Sequence, residues 1–199
     1  MPAKKTLETP KYHHGDLRRA VMNGALELAR SSGIEALSLR EIARKIGVST
    51  AAPYHHFKDR QSLLMDLAIE GYEKLLQTMQ QACAAAPDPK HEIQAAALAY
   101  LHFGREHRAE YAIMFAGEYG GHARAAEMMS VADACLELVR VAILKLTKLD
   151  PEQAAEAAFA AWSLLHGILQ LDQKGILRES AAEQDRLAVK GVLGIVQGF

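Results

Sequence analysis

The sequence predicts an all-α protein of about nine helices. Three observations carry that prediction. Alanine is abundant, and the 14 Gly and 6 Pro fall mostly at plausible joints. Apolar residues recur at three- and four-residue intervals along much of the 199 residues. No turn dipeptide sits between two runs that alternate apolar and polar, so hairpins are not signalled.

The elements follow in order. A first helix starts near Asp16 and runs to Ser32, with Leu17, Val21, Ala25, Leu28 and Ala29 on one stripe and Gly33 closing it. Ser38-Leu39-Arg40-Glu41 reads as a capping box: the Ser38 hydroxyl accepts from Glu41 N–H and the Glu41 carboxylate reaches back. It opens a short helix through Ile46, which Gly47 can end in the left-handed conformation. Ser49 or Thr50 caps a third helix to about Phe57, with Pro53 in its first turn, where a missing N–H costs least. Asp59 caps a fourth, carrying Leu63, Leu64, Leu67, Tyr72, Leu75, Leu76 and Met79 to near Cys83.

The Ala-Pro-Asp-Pro break, Ala84 to Pro89, is the first clear joint, and Asp88-Pro89 reads as N-cap and N1 of a helix over 89–107. A shorter helix over 108–117 is closed by Gly117, Gly120 and Gly121, and a long one runs from about His122 to Lys148. Asp150-Pro151 opens a helix to about Lys174, closed by Gly175. Ser180 with Glu183 offers a second capping box for the last helix, to near Gln197.

Charge divides the chain. Formal net charge is -1, yet residues 1–60 hold 11 Lys and Arg against 6 Asp and Glu, a net of +5, and the remainder nets −6. A basic front and an acidic back suggest two jobs. The start, MPAKKTLETPKYHHGD, lacks an apolar stretch of signal-peptide type, and no apolar run approaches the ~18 residues of a membrane span. Cys83 and Cys135 form no CxxC, so a disulfide framework or zinc ribbon is not expected. A reduced, cytoplasmic location with no membrane partner is the expectation.

Two short helices joined by Gly47-Val48-Ser49 match a helix-turn-helix, whose second helix can enter the DNA major groove. Ile42, Ala43, Ile46 and Val48 can form its small core, and Arg40, Arg44 and Lys45 leave one side basic. The run from Leu39 to Arg60, LREIARKIGVSTAAPYHHFKDR, resembles the DNA-binding domain of tetracycline-repressor-like (TetR) regulators, with Arg60 where Lys is usual and Leu63 closing the pattern. The resemblance covers about residues 12–75.

It implies an N-terminal arm over 1–13, a DNA-binding domain over 14–74 with its helix-turn-helix at about 38–57, and a helical ligand-binding and dimerisation domain over 75–199. It implies double-stranded operator DNA as partner, with Arg40, Ser49, Thr50, Ala51, Ala52, Tyr54, His55, Lys58 and Arg60 as the contact set. Arg40 would reach a base edge or phosphate. Thr50, Ala51 and Ala52 would face the groove, Thr50 able to hydrogen-bond and the Ala methyls to touch thymine. Tyr54 and His55 would meet phosphates or bases, and Lys58 and Arg60 backbone phosphate. His56 and Phe57 would pack the domain. The arm, with Lys4, Lys5, Lys11, Tyr12, His13 and His14, either lies along a groove or is a plain basic tail.

The acidic remainder reads as two greasy final helices. Residues 157–171 are apolar almost all round, interrupted by Ser163, His166 and Gln170, and a helix of that kind must be buried on more than one side. One subunit cannot cover both, so a homodimer is expected through Leu164, Ile168, Leu171, Val189, Val192, Leu193 and Val196, as the resemblance also implies. The segment Trp162-Ser163-Leu164-Leu165-His166-Gly167 is similar to the Trp…His-Gly signature of one TetR subgroup, and Gly167 suggests close helix approach. Tyr100, Phe103, Met114, Phe115, Tyr119, Met128, Met129 and Trp162, with His166, supply either an apolar pocket or plain core. The family's typical small-molecule effector, often apolar, would sit there. The chain therefore reads as a dimeric repressor that a small molecule releases from a near-palindromic operator. The alternative is a helix-turn-helix regulator working through protein partners without a small ligand.

A helical metal enzyme is the remote alternative. Nine His invite it, and His102, Glu106 and Glu110 are spaced i, i+4, i+8. But no Glu-x-x-His occurs, His91-Glu92 lacks the second His of a zincin, and neither a phosphate loop nor Gly-x-Ser-x-Gly is present. Glu106 paired with His102 on the surface is the simpler reading. No metal, cofactor or catalytic residue is expected.

Overall fold

A computed structural model describes residues 14–117 and 119–199, with side chains from Leu17 onward. The arm and the His14 side chain lie outside the described residues. Among the described residues eight α-helices form: α1 (His14–Ser32), α2 (Leu39–Lys45), α3 (Arg60–Ala84), α4 (Pro89–Glu106), α5 (Arg108–Met114), α6 (Ala125–Leu146), α7 (Pro151–Gln173) and α8 (Ala181–Gly198). Two 3₁₀ turns, Ile34–Ala36 and Ala52–His55, precede α2 and α3. Among the described residues there is no strand.

The ninth expected helix is the second of these turns. Pro53 has no N–H to offer the Ser49 carbonyl, which instead accepts from Ala52 N–H at 3.0 Å. Tyr54 N–H to Ala51 O and His56 N–H to Pro53 O repeat the three-residue spacing. A segment this short therefore closes as 3₁₀ rather than α.

Capping residues set most of the remaining boundaries. Asp59 Oδ1 accepts from Ser62 N–H at 2.7 Å, and Asp88 accepts from His91 N–H at 3.0 Å ahead of Pro89. Asp150 accepts from Glu152 and Gln153 N–H, and the Gln153 side chain accepts from Asp150 N–H, completing a capping box. At Ser38 and Ser180 the hydroxyl accepts as expected from Glu41 and Glu183 N–H. Those two carboxylates instead bind Arg44 and Arg186, one turn further on.

The chain divides into two compact units, residues 1–63 and 64–199, so the first takes in only the opening turn of α3. In the first unit Val21, Met22, Ala25, Leu26 and Ala29 of α1 are buried with Leu39, Ile42, Ala43, Pro53 and Phe57. Ile46 and Val48 are half-buried. In the second unit α4 packs against α5, α6, α7 and α8, and α7 packs against α6 and α8. Small residues set two of these approaches. A Cβ at Gly191 of α8 would stand 2.7 Å from Leu164 of α7, and one at Gly104 of α4 would collide with Leu169. No described helix is long and apolar enough to cross a membrane.

Candidate nucleic-acid interface and ligand cavity

In the first unit the turn after α2 is built by hydrogen bonds to the carbonyls that the helix end leaves open. Val48 N–H donates to Ala43 O at 3.0 Å and Gly47 N–H to Arg44 O at 3.3 Å, the paired bonds of a Schellman motif. Gly47 has φ +74°, a conformation that costs any other L residue about 1–2 kcal/mol. The chain that leaves this turn is pinned by buried Pro53 and Phe57, with Arg18 over the Phe57 ring at 5.7 Å.

Around these anchors Ser49, Thr50, Ala51, Tyr54, His55 and Lys58 are exposed, as is Arg40 on α2. Tyr54 is 48% exposed, unusual for a large aromatic ring with buried neighbours on its own turn. Ala52 is half-buried. Arg60, placed by the resemblance on phosphate, directs Nε to Leu37 O and Nη2 to Ile34 O, both at 3.0 Å. Its guanidinium thereby holds the 3₁₀ turn Ile34–Ala36 and the extended Leu37 that lead into α2. Arg44 and Lys45 are engaged with Glu41 and Glu27.

In the second unit a cavity of about 470 Å³ opens between helices, within the ~300–1,000 Å³ of small-molecule sites. Tyr72, Leu75 and Met79 of α3, Ile93, Ala96, Ala97 and Tyr100 of α4, and Ala158, Phe159, Trp162 and Leu165 of α7 line it. Phe115, Met129, Ala132, Asp133, Cys135, Leu136 and Val139 close another side, with Val192 of α8. Of the expected pocket residues, Tyr100, Phe115, Trp162 and Met129 are in the wall.

Five others are not, and each has a reason. Phe103 is buried with its ring 4.8 Å from His107. Met114 fills the space over Gly71, where a Cβ would lie 2.8 Å from its Sδ. Tyr119 is buried with its hydroxyl donating to Ile113 O, and Met128 is buried outside the wall. His166 stands behind the wall. Its Nδ1 lies 2.7 Å from Tyr111 Oη and its ring 4.5 Å from Phe115. Tyr111 Oη is 2.9 Å from Tyr100 Oη, which accepts from Trp162 Nε1 at 3.2 Å.

Burial holds the His166 pKa below the usual histidine value, so the ring is neutral near pH 7. Burial and the neighbouring Tyr111 hold Tyr100 well above the usual phenol value, and burial pushes the Cys135 thiol up to about 12. Among the described residues Asp133 is the one acidic or basic side chain in the cavity wall. Tyr72, Cys135 and the alanines of α4 escaped sequence reasoning, because a cavity wall needs no residue type that plain core lacks.

The expected dimer set also divides. Val192 and Val196, each 2% exposed, are the inner stripe of α8 with Ala188, and so face their own subunit. Leu164, Ile168, Val189 and Leu193 are half-buried, and Leu171 is 41% exposed. Gly167 has no neighbour within 4 Å of where a Cβ would stand, so it marks an open face rather than a close approach inside the subunit. The His102 cluster is a structural network. His102 Nε2 lies 2.9 Å from Asp185, which also takes Arg105, while buried Gln184 bridges Arg105 and Asp172. Glu110 sits on α5, beyond the break at His107, so it never joins the His102 face. No group of three or more potential metal-binding side chains occurs among the described residues.

Residues 93–193 match the family described as "Tetracyclin repressor-like, C-terminal domain", and residues 21–67 match "Bacterial regulatory proteins, tetR family". Among relatives, an uncharacterized HTH-type transcriptional regulator of Mycobacterium tuberculosis is 25% identical over 182 residues, 92% of this chain and 81% of that protein. The class D tetracycline repressor protein of Escherichia coli is 40% identical over 53 residues, 27% of this chain and 24% of that repressor. A solved protein of unknown function from Rhodococcus sp. RHA1 superposes with a TM-score of 0.80 at 30% identity, covering 96% of this chain and 99% of that one.

Proposed function

The chain belongs to the tetracycline-repressor-like (TetR) family of helix-turn-helix transcriptional regulators, and from that membership we propose a dimeric repressor that a small molecule releases from its operator. The observation that carries the proposal is the set of exposed side chains Ser49, Thr50, Ala51, Tyr54, His55 and Lys58, backed by buried Pro53 and Phe57. Thr50 and the Ala51 and Ala52 methyls read base edges; Arg40, Tyr54 and His55 meet phosphate or base, and Lys58 meets backbone phosphate. Arg60 contributes by holding the link into α2, on which the reading turn depends.

The exposed and half-buried apolar residues of α7 and α8, Leu164, Ile168, Leu171, Val189 and Leu193, pair two subunits about a twofold axis, which calls for a near-palindromic operator. The cavity receives the effector. The effector lowers DNA affinity because it binds more tightly to a conformation other than the DNA-competent one. The protein acts by binding alone, in the cytoplasm where its DNA is. The likeness of the Trp162…His166-Gly167 segment to the signature of one subgroup supports assigning the protein to it.

The test is the salt dependence of binding to operator and to unrelated DNA. For specific binding, log K falls against log salt by about 0.9 per neutralised phosphate. Lys58→Ala reduces that slope by about one contact per reading head and weakens both DNAs alike. Thr50→Ala instead changes base preference. Retention that is absent at low salt, or independent of salt, refutes the proposal.

A further inference from the structure

We propose that the cavity takes an apolar ligand ending in a cationic nitrogen, and that Asp133 at its mouth selects that charge. The inference rests on the reading of this cavity as the effector site. Asp133 is exposed, as are its fellow lining residues Met129 and Phe159, at 50% and 58%. These three therefore mark where the cavity meets solvent. Among the described residues no Lys, Arg or His lines the cavity, and Asp133 is its one acidic or basic side chain. Asp133 has no ion-pair partner among the described residues.

The remaining polar groups of the wall are already engaged. The Tyr72 hydroxyl donates to Met114 O at 3.5 Å, and the Cys135 thiol to Val131 O at 3.6 Å. The Trp162 indole N–H donates to Tyr100 Oη, which is shared with Tyr111 and His166. A ligand carboxylate would thus meet a like charge at the mouth and find its candidate donors committed further in. An ammonium at the mouth gains a carboxylate, while its apolar body loses water against Ile93, Leu136, Val139 and Leu165. Discrimination of this kind needs a repulsive element as well as an attractive one, and Asp133 supplies both.

Trp162, the chain's single tryptophan, lies in the wall and gives a direct signal. The full-length protein is titrated with decylamine, decanol and decanoate below their aggregation concentrations, and Trp162 fluorescence is followed. All three share one alkyl chain, so their differences isolate the end group. Decylamine should bind on the order of tenfold more tightly than decanoate, as expected for an exposed charge at the mouth. Decanol should fall between them. Asp133→Asn should bring decylamine to the level of decanol and leave decanol unchanged. Ala132→Phe, which fills the cavity from the wall, should remove all three responses.

If decanol binds but decanoate equals or exceeds decylamine, the charge assignment is wrong and the cavity remains the effector site. If none of the three perturbs Trp162, or Ala132→Phe leaves every response intact, the effector-site reading fails with it.

Discussion

Gly24→Ala tests the packing that sets the helix-turn-helix. Gly24 lies inside α1, where alanine would ordinarily stabilise a helix by about 1 kcal/mol. Here a Cβ would stand 2.6 Å from Ile46 Cγ2 and 3.4 Å from Ile42 Cγ2. Carbon atoms pack best at ~3.5–4.0 Å, so the Ile46 methyl must retreat by about an ångström. That methyl is attached directly to Cβ, so it moves only by a χ1 change or a shift of the helix end. Overpacking of this kind costs about 1–3 kcal/mol, which outweighs the helical gain.

The net expectation is a loss of up to about 2 kcal/mol in the first unit. In an Ile46→Ala background the obstructing methyl is gone and the sign reverses, to a gain of about 1 kcal/mol. Hydrogen exchange by mass spectrometry, read on peptides from residues 21–45 in the wild type, both single variants and the double variant, measures the cycle. Fluorescence would miss it, since the only tryptophan belongs to the second unit. Equal effects of Gly24→Ala in the two backgrounds would show that Gly24 and Ile46 do not constrain one another, and the argument for close α1–α2 packing would fall.

Three further outcomes are expected. Arg60→Ala should raise exchange around residues 34–38 in the absence of DNA, by the equivalent of about 1.5–3 kcal/mol for bonds from a charged donor, whereas Lys58→Ala should leave exchange unchanged; identical profiles would mean Arg60 has no positioning role. Leu193→Asp should shift sedimentation from dimer to folded monomer, while Val192→Asp should disrupt the subunit itself because that side chain is 2% exposed; a folded monomer from Val192→Asp would reverse the assignment of inner and outer faces. His166 has its pKa lowered by burial, so its contribution to stability is complete above the unfolded value of 6.5 and is lost as pH falls below it, since the unfolded chain takes the proton first. Urea midpoints should therefore decline below pH 6.5 by less in His166→Asn than in the wild type, and parallel declines would remove His166 as a source.

What could be read from the sequence was what short-range physics controls. Helix starts at Asp88, Asp150 and Ser180 followed from side-chain oxygens placed three residues before the amides they cap. The helix-turn-helix was legible because Gly47, Pro53 and Phe57 each satisfy a local backbone or core demand at fixed spacing, whereas the expected cap from Ser49 or Thr50 does not form: Ala51 holds the N-cap position with no side-chain hydrogen bond. The same reasoning extended Pro53 into a full α-helix, because one missing donor decides between 3₁₀ and α only through the actual carbonyl geometry. Glu41 and Glu183 likewise chose arginines one turn ahead over the caps behind them.

Tertiary structure alone decided which apolar residue is core, cavity wall or outward face. Phe103 and Met114 are the same chemistry as Phe115 and Met129, yet only the second pair borders empty space. Val192 and Leu193 are both aliphatic neighbours on one helix, and a 100° step around its axis puts the smaller inside and leaves the other half-buried. Hydrophobic transfer depends on area removed from water and is non-directional, so periodicity says that a stripe must be covered but not by what. That choice belongs to the helices packed around it.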